Sequence, residues 1–105
     1  MTFSVYQYSN FVGQELTATG LTTLATVPAS TQWMIKDIEV CNTDSVAVTI
    51  TLNLNGIPIF SSMSIPPNQT VHWTGLRVLA ATQTIAASCS VANELYISID
   101  GQTGN

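Results

Sequence analysis

The strongest constraint on this chain is an alternation of period two along almost its whole length, interrupted roughly every 8–12 residues by turn-forming residues. No stretch keeps a helical spacing of apolar residues beyond two turns. The clearest case is "DSVAVTITLNLNGIPIF", residues 44–60, where Val46, Val48, Ile50, Leu52 and Leu54 alternate with small or polar residues. Asn55-Gly56 then turns the chain back. A two-residue Asn-Gly loop fits a type I′ turn, whose central residues both need positive φ. That turn places Leu54 opposite Ile57, Asn53 opposite Pro58, Leu52 opposite Ile59, Ile50 opposite Ser61 and Val48 opposite Met63. All the apolar residues of the first strand, Val46 to Leu54, then face one core. Pro58 marks its strand, 57–63, as an edge strand or one next to a break in the ladder, because proline cannot serve a central ladder. The opposite face of strand 45–54 carries Ala47, Thr49, Thr51 and Asn53, all small and uncharged.

The same reading predicts strands at 3–8, 14–19, 21–27, 32–42, 45–54, 57–63, 69–74, 76–80, 83–91 and 94–100. Turn signals separate them at Gly13, Gly20, Pro28–Ser30, Asn42–Asp44, Asn55-Gly56, Pro66–Asn68, Gly75, Ala92-Asn93 and Gly101. Many short strands at this spacing predict an all-β fold: one antiparallel β-sandwich, jelly-roll-like, with about eight strands. With 105 residues there is room for one core and no second domain. Residues 20–101 are expected to form the sandwich. Residues 1–19 read either as a first strand or as an arm that docks on a neighbour, and residues 102–105 as a flexible tail.

Charge sets this chain apart. Only 8% of its residues are charged, against about 25% in an ordinary domain. Its polar surface is built instead from 38 Thr, Ser, Asn and Gln residues. Charged side chains are depleted where proteins meet proteins, so a surface this neutral predicts extensive burial in an assembly. With two basic residues, Lys36 and Arg77, and a net charge of −4, the chain lacks the cations that phosphate backbones or anionic membranes require. Neither nucleic acid nor membrane is an expected partner. No apolar run approaches a membrane span, and "MTFSVYQYSNFVGQ" has neither the basic nor the apolar region of a secretory signal. The expected site of folding is a cytoplasm.

Residues able to do chemistry are few. His72 is the only histidine, and nothing in its spacing supplies a nucleophile or further metal ligands. Cys41 and Cys89 fall on an outward and an inward face and read as free thiols; there is no CxxC pair. Asp37 and Glu39 share a strand face and could share a cation, but calcium wants more oxygen ligands. The match of Asn68-Gln-Thr70 to a glycosylation sequon carries no weight without a secretory signal, and phosphate-binding loops, HExxH and GxSxG are absent. The expectation is therefore no enzyme, with no catalytic residues, no cofactor and no metal. Trp33, grouped by alternation with Ile35, Asp37 and Glu39, is expected at the surface, and Trp73 in the core. Exposed aromatic residues suit an interface or, as the alternative, a glycan site. Phe3, Tyr6, Tyr8, Phe11, Trp33 and His72 are the candidate interface residues.

Three stretches, "TTLATVPASTQWMIKDIEVCNTDSVAVTITLNLNG", "IPPNQTVHWTGLRVLAATQTIAAS" and "ELYISIDG", resemble small β-sandwich virion proteins of tailed bacteriophages. The resemblance covers about residues 20–101. It implies a structural role on the phage particle, most often capsid decoration, and no catalytic residues. On that basis the expected partners are the major capsid protein and further copies of the chain, as a trimer in preference to a dimer. The expected location is the capsid surface. A minor tail or host-recognition module that binds glycans is the alternative.

Overall fold

The computed structural model describes residues 7–104. Eight strands follow one another: β1 Gln7–Glu15, β2 Thr22–Thr26, β3 Gln32–Asn42, β4 Val48–Leu54, β5 Ile57–Ile65, β6 Thr70–Leu79, β7 Thr84–Cys89 and β8 Leu95–Gly104. There is no helix among the described residues. Two four-stranded antiparallel sheets form, β1-β8-β3-β6 and β2-β7-β4-β5. The pairings β1·β8, β2·β7, β3·β6 and β4·β5 make the chain one long hairpin folded about the β4–β5 turn. Rolling that ribbon over brings β3 against β8 and β4 against β7, which completes the jelly-roll order.

The inner faces of both sheets supply the core. Ile35, Ile38, Val40, Val48, Ile50, Leu52, Ile85, Leu95, Ile97 and Ile99 are closed to solvent, as alternation on a half-buried sheet requires. Asn55 and Gly56 both take positive φ, at 51° and 74°, in keeping with the type I′ turn. The hairpin register holds for Leu54–Ile57 and Asn53–Pro58 and then slips. Irregularities on either side of Leu52 set Phe60, not Ile59, opposite Leu52, Met63 opposite Ile50 and Ile65 opposite Val48. Phe60 and Ile65 thereby enter the core. β5 is an edge strand, at the end of its sheet. Val46 precedes β4 and is exposed, so only Val48 to Leu54 of the expected set face inward.

A break in register between Ile35 and Asp37 corrects the reading of β3. Lys36 is the extra residue of a bulge, and it reverses the phase of the alternation. Trp33 and Ile35 therefore point into the core together with Ile38 and Val40, while Met34 turns outward. Trp33, expected at the surface, is buried and stacks on Phe11 with ring centroids 4.4 Å apart. β6 spans the two segments expected at 69–74 and 76–80. Gly75 ends no strand; it leaves space for the Trp73 ring, which a Cβ there would meet at 2.8 Å.

β8 also continues past its expected end. Residues 102–104, read as a flexible tail, pair with β1 or β3. At Gly101 the neighbouring strand comes so close that an added Cβ would fall inside the Met34 carbonyl. The segment 7–15, left open between strand and arm, is the edge strand β1 against β8, and 14–19 forms no strand of its own.

Asn42 is the one buried polar residue among those described. Its Nδ2 donates to the carbonyls of Val46 at 2.9 Å and Ile65 at 3.0 Å, with Pro66 O at 3.3 Å, and its Oδ1 accepts from the Asp44 amide at 2.9 Å. It reads in the sequence as part of a turn, but it knots the β3–β4 loop to the end of β5.

Candidate functional site

The two outer faces of the sandwich differ in kind. The strands β2, β4, β5 and β7 contain no Asp, Glu, Lys, Arg or His. Of the nine such residues in the chain, seven lie on the sheet β1-β8-β3-β6, and Asp44 and Glu94 sit in loops. Register puts Thr49, Thr51, Asn53, Ser64, Thr84, Ala86 and Ser88 on the outer face of the uncharged sheet. Thr49, Thr51, Thr84, Ala86 and Ser88 are half-buried among one another. Asn53 Oδ1 is closed to solvent and receives no donor. Among the described residues, both edges of this sheet, β2 and β5, are unpaired on their outer side.

On the charged sheet Asp37, Glu39, His72 and Asp100 stand on the outer face, while Arg77 pairs with inward-facing Ile35. Asn10 Nδ2 donates to Asp100 Oδ1 at 2.7 Å, and to Val12 O at 2.9 Å, bracing the irregular part of β1. On β3 and β6, Glu39 stands opposite His72 and Asp37 opposite Thr74. His72 Nε2 lies 2.9 Å from Asp37 Oδ1 and 3.0 Å from Glu39 Oε1. Neither contact is aligned as a hydrogen bond, and Asp37 Oδ1 is shut off from solvent without a proper donor. Two shallow depressions, each of about 460 Å³, open on this sheet. Tyr96 with Glu39 and Cys41 lines one; Tyr8 with Asp37 and Asp100 lines the other.

The candidate interface residues are thus dispersed. Tyr8 is 83% exposed and His72 is exposed, both on the charged sheet. Phe11 and Trp33 pack on each other in or against the core and offer a partner little. Phe3 and Tyr6 lie outside the described residues. Tyr96, one of the aromatic residues that the sequence offers to a sugar-binding site, is 48% exposed. Its alternation with buried Leu95 and Ile97 on β8 carries the signal of that exposure. Spacing did not bring Asp37 and Glu39 to His72, because only the pairing of β3 with β6 does so. Cys41 and Cys89 are both free thiols, Cys41 partly exposed and Cys89 buried. Burial pushes the Cys89 thiol above the usual cysteine value, with a hydrogen bond at the Val91 backbone acting the other way. Compared with known proteins, the chain matches no family model and no curated protein.

Proposed function

We propose that this chain is a structural virion protein of the capsid-decoration type, seated on the lattice of a major capsid protein and stabilising the head. The observation that carries this reading is the segregation of charge. A four-stranded sheet without an Asp, Glu, Lys, Arg or His in its strands is suited to lie against protein. Burying a charge costs several kcal/mol unless it is paired, whereas Thr, Ser and Asn can exchange water for partner groups at little cost. Unpaired edges on β2 and β5 offer backbone groups to the same neighbour. Each contact of this kind is weak, but repetition over a closed shell makes the total large. Copies associate with one another in this reading, as a trimer in preference to a dimer. The charged sheet faces water on the outside of the particle.

The test is the number of copies in purified particles, measured by quantitative mass spectrometry. Hundreds of copies spread over the head fit decoration. A handful at one vertex would replace it with a tail or portal role, and absence from particles would remove both. A variant, Thr51→Lys, is expected to lower occupancy, because it places a charge in the middle of the docking face; its melting temperature is recorded beside occupancy, since the Thr51 hydroxyl accepts from the Ser62 amide at 2.9 Å.

A second reading is a host-recognition module that binds glycans. Tyr8 and Tyr96 beside two shallow depressions favour it, since sugars stack on exposed aromatic rings. It calls for saccharide binding by the isolated chain that Tyr96→Ala abolishes.

A further inference from the structure

Asp37, Glu39 and His72 converge on the outer face of β3 and β6, with one donor atom from each within 4.8 Å of the others. We propose that they form a binding site for one divalent transition-metal ion, Zn²⁺ or Co²⁺ in class. Asp37 and Glu39 bring two carboxylates to this cluster. Among the described residues, the ion-pair partner of both is His72 alone. A ring N–H has one direction and serves one acceptor, so it cannot satisfy two oxygens on different sides. The result is visible at Asp37 Oδ1, a solvent-excluded acceptor without an aligned donor. Such a group calls for an account, and an ion is one of the few that fits a carboxylate.

Two of the three separations suit a metal as they stand; the two carboxylate oxygens lie within 4.8 Å of each other and must come to about 4.2 Å or less for one ion to reach both. Donors 2.9 and 3.0 Å from Nε2 subtend about 90° at a centre roughly 2.1 Å from each, the angle between neighbouring ligands of an octahedron. Opening those separations to about 3.4 Å gives a tetrahedral site, a small adjustment for side chains that are partly exposed. One imidazole with two carboxylates selects a transition metal over Mg²⁺ or Ca²⁺, which want oxygen alone. The imidazole binds in its neutral form, so a proton bound at Nε2 leaves to solvent as the ion enters. Three protein ligands leave positions open for water. The ion would also tie edge strand β6 to central strand β3 by a link that the backbone ladder does not supply.

The experiment uses the full chain without an affinity tag. Zn²⁺ binding is followed by calorimetry, Co²⁺ binding by visible absorption, and melting temperature is recorded with metal and with chelator. One saturable site is expected, with Mg²⁺ and Ca²⁺ at least about 100-fold weaker. His72→Ala and Asp37→Asn are each expected to weaken Zn²⁺ about 100-fold or more while melting as the wild type does in chelator. Cys41→Ser, on the same face of β3, is expected to bind Zn²⁺ as the wild type does. The proposal is overturned if the wild type shows no saturable Zn²⁺ binding. It is equally overturned if His72→Ala and Asp37→Asn bind as the wild type does, or if Cys41→Ser abolishes binding.

Discussion

Replacing Asn42 by alanine should cost this fold more than any other single polar change among the described residues. The side chain is closed to solvent and holds three backbone segments at once. Its two amide hydrogens serve the carbonyls of Val46 and Ile65, at 2.9 and 3.0 Å, and its oxygen serves the Asp44 amide at 2.9 Å. Pro66 O, at 3.3 Å, also receives the Gln69 amide, so it is not left alone. Alanine therefore removes three hydrogen bonds, the one to Ile65 O buried and those with Val46 O and the Asp44 amide partly so. At about 1–1.5 kcal/mol each, the loss is about 3–4.5 kcal/mol. Set against a total of about 5–15 kcal/mol, that is a large fraction of the stability. The melting temperature should fall by about 12–18 °C.

Urea unfolding read by tryptophan fluorescence gives the free energy directly, since Trp33 and Trp73 pack in or against the core. Asn42→Asp keeps the acceptor but turns an oxygen toward the two carbonyls, so it should destabilise at least as much as alanine. Thr43→Ala removes an exposed hydroxyl bonded to Glu94 and should cost under about 1 kcal/mol. A loss below about 1 kcal/mol for Asn42→Ala, with the denaturant slope unchanged, would refute the claim that this residue ties the corner together.

Three further perturbations probe other parts of the fold. Gly101→Ala drives a Cβ into the Met34 carbonyl, so β8 must separate from β3; little soluble protein is expected, whereas Gly20→Ala, with open space around it, should melt unchanged. Trp33→Ala empties a core position stacked on Phe11 and should cost about 3–5 kcal/mol in urea unfolding, while Tyr8→Ala, at the surface, should cost under about 0.5 kcal/mol. Because burial raises the Cys89 thiol, the unfolded chain loses that proton first as pH climbs above about 8.5. Stability is then whole below that range and falls above it, and Cys89→Ala should fall less steeply between about pH 8.5 and 10. Equal slopes for the two proteins would contradict that account.

What the sequence made legible was whatever depends on local chemistry. Asn55-Gly56 set the first two pairs of the β4–β5 hairpin because a turn fixes register outward from itself. The bulges beyond them answer to sheet curvature and to where Phe60 and Ile65 can pack, neither of which alternation encodes. Trp33 illustrates the same limit. Its grouping with Ile35 held, but extending the alternation through Lys36 assigned the pair to the wrong side. Gly75 and Gly101 looked like turn residues because glycine usually is; here a ring and a neighbouring backbone occupy the space a side chain would need. The cluster at His72 was out of reach for a simpler reason. Its members are far apart in sequence and meet only through the pairing of β3 and β6.

The division of charge between the sheets is the feature that folding itself leaves unexplained. A sandwich requires apolar inner faces on both sheets and is indifferent to which outer face bears the carboxylates. Here one outer face holds Asp37, Glu39, His72 and Asp100, and the other holds hydroxyls, amides and alanine. In water alone, moving some charge onto the neutral face would improve solubility at no cost to packing. The arrangement makes sense if the neutral face spends its life against protein and the charged face against solvent. The two faces should then respond independently. If the chain decorates a capsid and holds a metal at His72, a chelator should leave attachment to the particle intact, whereas lysine at Thr51 should loosen attachment and leave the His72 cluster undisturbed. Loss of the chain from particles on chelation would place the contact on the charged sheet and reverse the orientation argued from composition.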